Sequence, residues 1–178
     1  MKAKGLIEKR KVSLQVNQVI EKMLINSRGK CESIKQIVFH EYQNLGENLR
    51  LLILTDYIRK EYESSLGDET KVVNNLGVLP FFEQLRRESV NRNRTLKLGV
   101  LCGSIIIIPI EAKEALFKKV NDLNKIKVIK AGKLEDYIKI EINGNHHFLI
   151  GAVSELFAQG FIQVLIGTKS LLGEGWDC

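Results

Sequence analysis

The chain has 178 residues, of which 44% are apolar and 27% are charged, a balance typical of a soluble globular protein and not of collagen, a coiled coil or a disordered chain. Lys and Arg outnumber Asp and Glu by 27 to 21, and the resulting net charge of +6 favours polyanionic partners without requiring nucleic acid. Three widely spaced cysteines exclude a disulfide scaffold, so we expect a cytoplasmic location. The longest apolar run, residues 105–110, is too short to cross a bilayer, and we expect no membrane partner.

Apolar residues at helical spacing predict two helices near the start of the chain. The first is a one-faced helix over residues 16–24. Ser33 can cap the second helix, and Gly46 marks its end. Because a short link joins the two helices, we assign residues 1–47 to an N-terminal helical hairpin that packs on the main domain.

Three apolar runs predict strands that are buried on both faces, as in a parallel sheet. These runs are residues 51–54, 96–101 and 164–166. Asp56 can cap a helix that begins at Tyr57, and Pro80 fits the first turn of a later helix. Since one-faced helices separate the strands, the pattern predicts a three-layer α/β sandwich with a parallel sheet and right-handed crossovers.

Residues 125–143 have a different pattern, in which isoleucine and valine alternate with charged residues such as Lys139 and Glu141. Period-two alternation is typical of half-exposed strands, so we expect an antiparallel β-ribbon at an edge of the sheet. A strongly amphipathic helix follows from Leu149 and ends at Gly160.

The segment over residues 157–177 carries the clearest chemistry, because polar and glycine-rich backbone follows the last buried strand. Ligands of open α/β sheets bind at the carboxyl ends of strands. There the Thr168 hydroxyl and exposed amides can bind phosphate oxygens, and Asp177 can accept hydrogen bonds from a ribose or a cation. The same glycines also fit a helix-capping turn that binds nothing, and the residues alone leave both interpretations open.

This segment resembles motif V of the second RecA-like domain of superfamily 2 helicases and translocases. The residues that carry the resemblance are Phe157, Gly160, Thr168, Gly175 and Asp177. Residues 51–56 resemble the motif IV strand that opens that domain, and Cys102-Gly103-Ser104 falls where the family has a strand that ends in a glycine turn. The segments Thr-Asp-Tyr-Ile-Arg at 55–59 and Gly-Glu-Gly-Trp-Asp at 173–177 resemble those of bacterial restriction-type or uncharacterised DEAD/DEAH helicase-like proteins.

The resemblance implies a RecA-like, P-loop NTPase-like fold over residues 48–178, which would be a partial helicase C-terminal domain with the ribbon at 125–143 as an insertion. It implies the C-terminal motor half of an ATP-dependent nucleic-acid helicase or translocase. ATP and magnesium would be bound mainly by the first RecA-like domain of the same parent chain, which this sequence lacks.

The resemblance also implies two sets of site residues. Those beside the nucleic acid are Thr55, Asp56, Gly103, Thr168 and Lys169. Those at the nucleotide cleft are Gly175 and Asp177. The sequence contains no Gly-x-x-x-x-Gly-Lys-Ser/Thr phosphate loop, no Asp-Glu-x-His box and no segment with an arginine finger. We therefore expect no catalytic residue, no bound cofactor and no ATP hydrolysis by this chain alone.

A second class of function stays open, namely a non-motor α/β domain that binds phosphate groups or a protein partner. The arginines at positions 86, 87, 92 and 94 either form a solvated face or contact phosphates. Phe81 and Phe82 are expected in the core rather than under a base. Cys102 follows a strand like a nucleophile elbow, but without a matching His–Asp set we expect a buried structural thiol. The three histidines lack metal-ligand spacing, so we expect no metal.

Overall fold

The computed structural model describes residues 7–8, 11–12, 28–103, 105–120, 124, 126–142 and 147–170. Its α-helices are α1 (Arg28–Leu45), α2 (Val78–Asn91), α3 (Lys113–Lys119) and α4 (His147–Gln159). Its strands are β1 (Ile7–Glu8), β2 (Lys11–Val12), β3 (Leu51–Thr55), β4 (Leu98–Cys102), β5 (Ile105–Pro109), β6 (Ile126–Lys130), β7 (Tyr137–Ile142) and β8 (Val164–Thr168). No helix in these ranges combines the length and the apolarity that a membrane crossing requires.

Strands β3 to β8 form one mixed sheet in the order β3-β8-β4-β5-β7-β6, while β1 and β2 pair separately. β8 lies parallel to β3 on one side and to β4 on the other. The remaining neighbours, β4–β5, β5–β7 and β7–β6, are antiparallel. The predicted α/β class is confirmed, but the prediction of a parallel sheet is wrong for this half. Only two residues link β4 to β5, and a parallel crossover needs a dozen or more.

The position of β3 also differs from the prediction. Residues 51–54 were expected in a strand buried on both faces, but β3 lies at one end of the described sheet and most of its residues are partly exposed. By contrast, β4, β5 and β8 are buried at every position. The antiparallel pairing over 125–143 is confirmed. Of its two strands, β6 lies at the edge of the described sheet opposite β3, whereas β7 continues into the sheet by pairing with β5.

Helices cover both faces of the sheet and enclose two apolar cores. On one face, Val38 of α1 and Phe82 and Leu85 of α2 pack with alternate residues of β4 and β8. Phe81 and Phe82 are buried there, as predicted from the sequence. On the other face, Leu116 of α3 and Leu156 of α4 pack with the residues of opposite parity on the same strands. Helix α1 thus packs on the main domain through its apolar side.

Two local predictions on this side of the molecule are corrected. Helix α1 begins at Arg28 rather than at Ser33, and it ends before Gly46, whose φ is +55°. The helix expected from Tyr57 does not form, and Asp56 caps nothing there; a 3-10 helix over Lys60–Ser65 replaces it. The carbonyls of residues 57 and 58 instead accept hydrogen bonds from the first backbone N–H groups of α2, so they are not available to a local helix. The helix predicted over 16–24 lies outside the described residues.

A buried carboxylate joins α2 to the loop that precedes it. Glu83 is only 1% exposed, and its oxygens accept hydrogen bonds from Arg86 at 2.8 Å, from Arg87 at 2.7 Å and from the Gly67 N–H at 3.2 Å. Burial alone would raise the pKa of Glu83, but the hydrogen bonds from the two arginines outweigh it, so the pKa is lowered. Arg87 also donates to the carbonyls of residues 68 and 71. The two arginines therefore hold the loop and are not free phosphate ligands.

Replacing this carboxylate should destabilise the fold. Glu83→Gln is expected to lower the free energy of unfolding by about 3 kcal/mol, because it leaves two largely buried guanidinium groups with only Glu69 as a charged partner. Urea denaturation followed by circular dichroism measures the change. Glu88→Gln, which breaks a more exposed pair with Arg92, is the matched control and should cost less than about 1 kcal/mol. Equal losses in the two variants would contradict the role of Glu83.

The stabilisation by Glu83 should also depend on pH. The folded-state pKa lies below the ordinary value of 4.5, so the stabilisation is complete above that value and is lost as the pH falls through the lowered one. The difference in unfolding free energy between the wild type and Glu83→Gln should therefore be constant near neutral pH and shrink in acid. Denaturation curves across the acid range test this, and a difference that grows as the pH falls would refute it.

Candidate nucleic-acid interface

The parallel strands β3, β8 and β4 end at one edge of the sheet. Thr55, the last residue of β3, lies opposite Thr168, the last residue of β8. Leu101 lies opposite Gly167, which puts the end of β4 at the same level. We call this the carboxyl edge, and it consists of Thr55, Asp56, Cys102, Gly103, Thr168, Lys169 and Ser170. All five residues predicted to contact nucleic acid lie there, whereas Gly175 and Asp177 fall outside the described residues.

The two threonines of the carboxyl edge are largely covered. Thr55 is 9% exposed and Thr168 is 8% exposed, and both side chains lie on the face that α1 and α2 cover. The Thr168 hydroxyl shares a hydrogen bond of 2.7 Å with the hydroxyl of Ser170, a residue that the sequence analysis did not select. The groups that the edge presents to solvent are therefore Asp56, Gly103, Lys169 and Ser170.

An ion pair crosses the carboxyl edge from β8 to β3. The Lys169 Nζ lies 2.9 Å from the Asp56 Oδ1, and both side chains are more than half exposed. Exposed ion pairs contribute only about 0–1 kcal/mol, so little free energy opposes the exchange of the Asp56 carboxylate for another anion. Lys169 is thus a cation held in place by a weak internal partner.

Cys102 belongs to the carboxyl edge but has no reactive character. Its side chain is fully buried, and its Sγ donates to the carbonyl of Ile105 at 3.6 Å. Burial raises the pKa of the thiol to about 12, so it is protonated at neutral pH and cannot act as a nucleophile. This confirms the prediction of a buried structural thiol. The charge of Lys60 acts in the opposite direction and lowers the same pKa.

Lys139 is buried in an ion-pair cluster rather than lying on an exposed ribbon. It is 8% exposed, and its ammonium donates to Glu63 of the Lys60–Ser65 helix and to Glu141 at 3.2 Å. Burial would lower its pKa, but the two carboxylates outweigh that effect and raise the pKa. The alternation of residues along the strand correctly predicts on which face of the sheet Lys139 lies. It cannot reveal that the acidic partner of Lys139 is 76 residues away in the sequence.

Tyr57 and Arg59 are surface residues beside this edge that the motif analysis did not assign. Tyr57 is 43% exposed, and the guanidinium carbon of Arg59 lies over its ring at 5.2 Å from the centroid. Both residues stand in the sequence Thr-Asp-Tyr-Ile-Arg, directly after β3. The sequence signal for this pair was an aromatic residue next to the end of a parallel strand. It was missed because a helix was expected to begin at Tyr57.

A cavity elsewhere in the described residues is less suited than the carboxyl edge to binding a polyanion. It has a volume of about 470 Å³ and lies between the start of α1, the loop at 69–74 and α2. Its charged lining is mixed, since glutamates at 32, 69 and 88 accompany its lysines and arginine. Among the described residues, no three His, Cys, Asp or Glu side chains are grouped so as to hold a metal ion.

Comparison with known proteins assigns no family to this arrangement. No protein-family model, no curated protein and no solved structure matches the chain. A function can therefore be inferred only from the carboxyl edge itself. Five residues that were selected from two sequence motifs and one strand end lie there, at the ends of three adjacent parallel strands.

Proposed function

We propose that this chain is the C-terminal motor half of an ATP-dependent nucleic-acid helicase or translocase, and that its carboxyl edge contacts the phosphates of the nucleic acid. One observation carries the proposal. The residues that the motif resemblance assigns to nucleic acid come from distant parts of the sequence, yet they all lie at the ends of β3, β8 and β4. That edge is also where open α/β sheets bind their ligands.

The chemistry of the carboxyl edge fits a phosphate group. Lys169 supplies a positive charge, and Ser170 supplies a hydroxyl next to it. Gly103 has a φ of +33°, and no described atom lies within 4 Å of the position that a Cβ would take there. A phosphate oxygen can therefore approach the backbone closely at this turn. Contacts of this kind recognise the backbone of a nucleic acid and not its sequence.

The motor part of the proposal rests on the motif resemblance alone. In the family, ATP and magnesium are bound mainly by the first RecA-like domain, and Gly175 and Asp177 would face that nucleotide from this chain. We therefore assign the described residues contact with nucleic acid and no chemical step.

A non-motor phosphate-binding domain is the second candidate, and one observation favours it. The sheet continues beyond β4 with three antiparallel strands, whereas a parallel sheet is expected of a RecA-like fold. Both candidates use the same carboxyl edge, so they differ in their need for ATP and for a second motor domain rather than in how they bind phosphate.

An assay of phosphate release tests whether this chain hydrolyses ATP without another motor domain. We expect no turnover above background, with or without nucleic acid, because the sequence has no phosphate loop and no arginine finger. A variant of the carboxyl edge, Lys169→Ala, serves as the control for contamination. Sustained turnover that this substitution abolishes would show that the chain has a nucleotide site of its own and would overturn this expectation.

Fluorescence anisotropy with a labelled oligonucleotide tests the carboxyl edge directly. Lys169→Glu is expected to weaken binding roughly tenfold at low salt and to reduce the salt dependence, because it removes a phosphate contact and adds a repelling charge. The matched control is Lys130→Glu on β6, which changes the net charge equally at an exposed lysine far along the sheet. Lys139 is unsuitable as a control because it is buried in an ion pair. Equal losses at positions 169 and 130 would mean that the edge is not the binding surface.

A further inference from the structure

Tyr57 is the next residue along the chain from the proposed phosphate contact. Tyr57 directly follows Asp56, whose carboxylate holds the Lys169 ammonium. Because consecutive Cα atoms are about 3.8 Å apart, a nucleotide whose phosphate binds at Lys169 would lie close to the backbone of Tyr57. Tyr57 is 43% exposed, and the Arg59 guanidinium carbon lies over its ring at 5.2 Å from the centroid.

The segment that carries this ring is fixed by its backbone. The Tyr57 carbonyl accepts the Val78 N–H at 2.8 Å, and the Ile58 carbonyl accepts the Leu79 N–H at 3.3 Å. These bonds attach the segment to the first turn of α2, which is buried in the core. The ring is therefore presented to solvent from a rigid support, which lowers the entropic cost of binding a flat ligand.

Arg59, which contacts the ring, has an uncommon backbone conformation. Its φ is +61°, in the left-handed region that residues other than glycine seldom adopt. Its Nε donates to the Leu76 carbonyl at 3.4 Å, and its side chain packs on Gly77, where a Cβ would lie 2.6 Å from the Arg59 Cγ. Such conformations persist where the surroundings enforce them, and they concentrate at functional sites.

We infer that Tyr57 and Arg59 form a stacking platform for a nucleobase, so that the carboxyl edge binds single-stranded nucleic acid in preference to a duplex. The inference rests on the proposed function, since it needs a phosphate contact beside the platform. Aromatic and guanidinium planes stack on any base, but only an unpaired strand can offer the face of a base to them. Charge alone has the opposite effect, because a duplex carries more phosphates per unit length and attracts a basic surface more strongly.

The test compares three labelled probes by fluorescence anisotropy at low salt: a single-stranded oligothymidylate, an abasic strand of the same length, and a duplex. The wild-type chain is expected to bind the oligothymidylate about tenfold more tightly than the abasic strand, as stacking of a base predicts. It is also expected to bind the oligothymidylate more tightly than the duplex. Tyr57→Ala should reduce the affinity for the oligothymidylate to that for the abasic strand, and Tyr57→Phe should preserve the difference.

Phe161→Ala is the matched control, because Phe161 is an aromatic residue of similar exposure that precedes β8 at the opposite edge of the sheet. It should leave all three affinities unchanged, and circular dichroism verifies that each variant is folded. If the oligothymidylate and the abasic strand bind alike, or if Tyr57→Ala weakens both equally, the platform is refuted while the phosphate contact stands. If no probe binds even at low salt, the proposed function is refuted and the platform with it.

Discussion

The parallel half of the sheet depends on the pairing of β8 with two strands at once. β3 and β4 are joined only through β8, although β8 comes from the end of the described chain and β3 from near its start. Gln163, which precedes β8, is fully buried and bridges the two sides, since its side chain accepts the Lys97 N–H at 3.0 Å and donates to the Gly46 carbonyl at 3.1 Å. The strand that completes the sheet also carries Thr168 and Lys169, so the carboxyl edge exists only once these distant segments have met.

The local parts of the fold could be predicted from the sequence. The apolar runs predicted β4 and β8, and helical spacing predicted α4, because burial within one element leaves a pattern in consecutive residues. Pro80 indicated the start of α2, since proline fits the first turn of a helix. The order and direction of strands depend on their connections, and the short link at 103–104 already required β4 and β5 to be antiparallel. The edge position of β3 could not be foreseen, because its residues are as apolar as those of an interior strand.

The candidate site was predicted in part for a similar reason. Parallel strands end at a common edge, so Thr55 and Thr168 could be expected to lie near each other. Two ion pairs join residues that are far apart in the sequence, Lys169 with Asp56 and Lys139 with Glu63. Sequence spacing cannot predict such pairs. The Tyr57–Arg59 contact involves a residue other than glycine with a left-handed backbone, a conformation that sequence propensity disfavours.

At the far side of the sheet, β6 has a consequence for behaviour in solution. An edge strand offers unpaired N–H and C=O groups to any passing chain, and flat apolar edges are the usual starting points of intermolecular β-structure. On β6, the side chains of Lys127 and Lys130 are 71% and 59% exposed and flank the apolar residues between them. A second β6 that approached this edge would bring like charges together. Exposed lysines at this position therefore disfavour pairing between the sheets of separate molecules, as charged side chains do on edge strands generally.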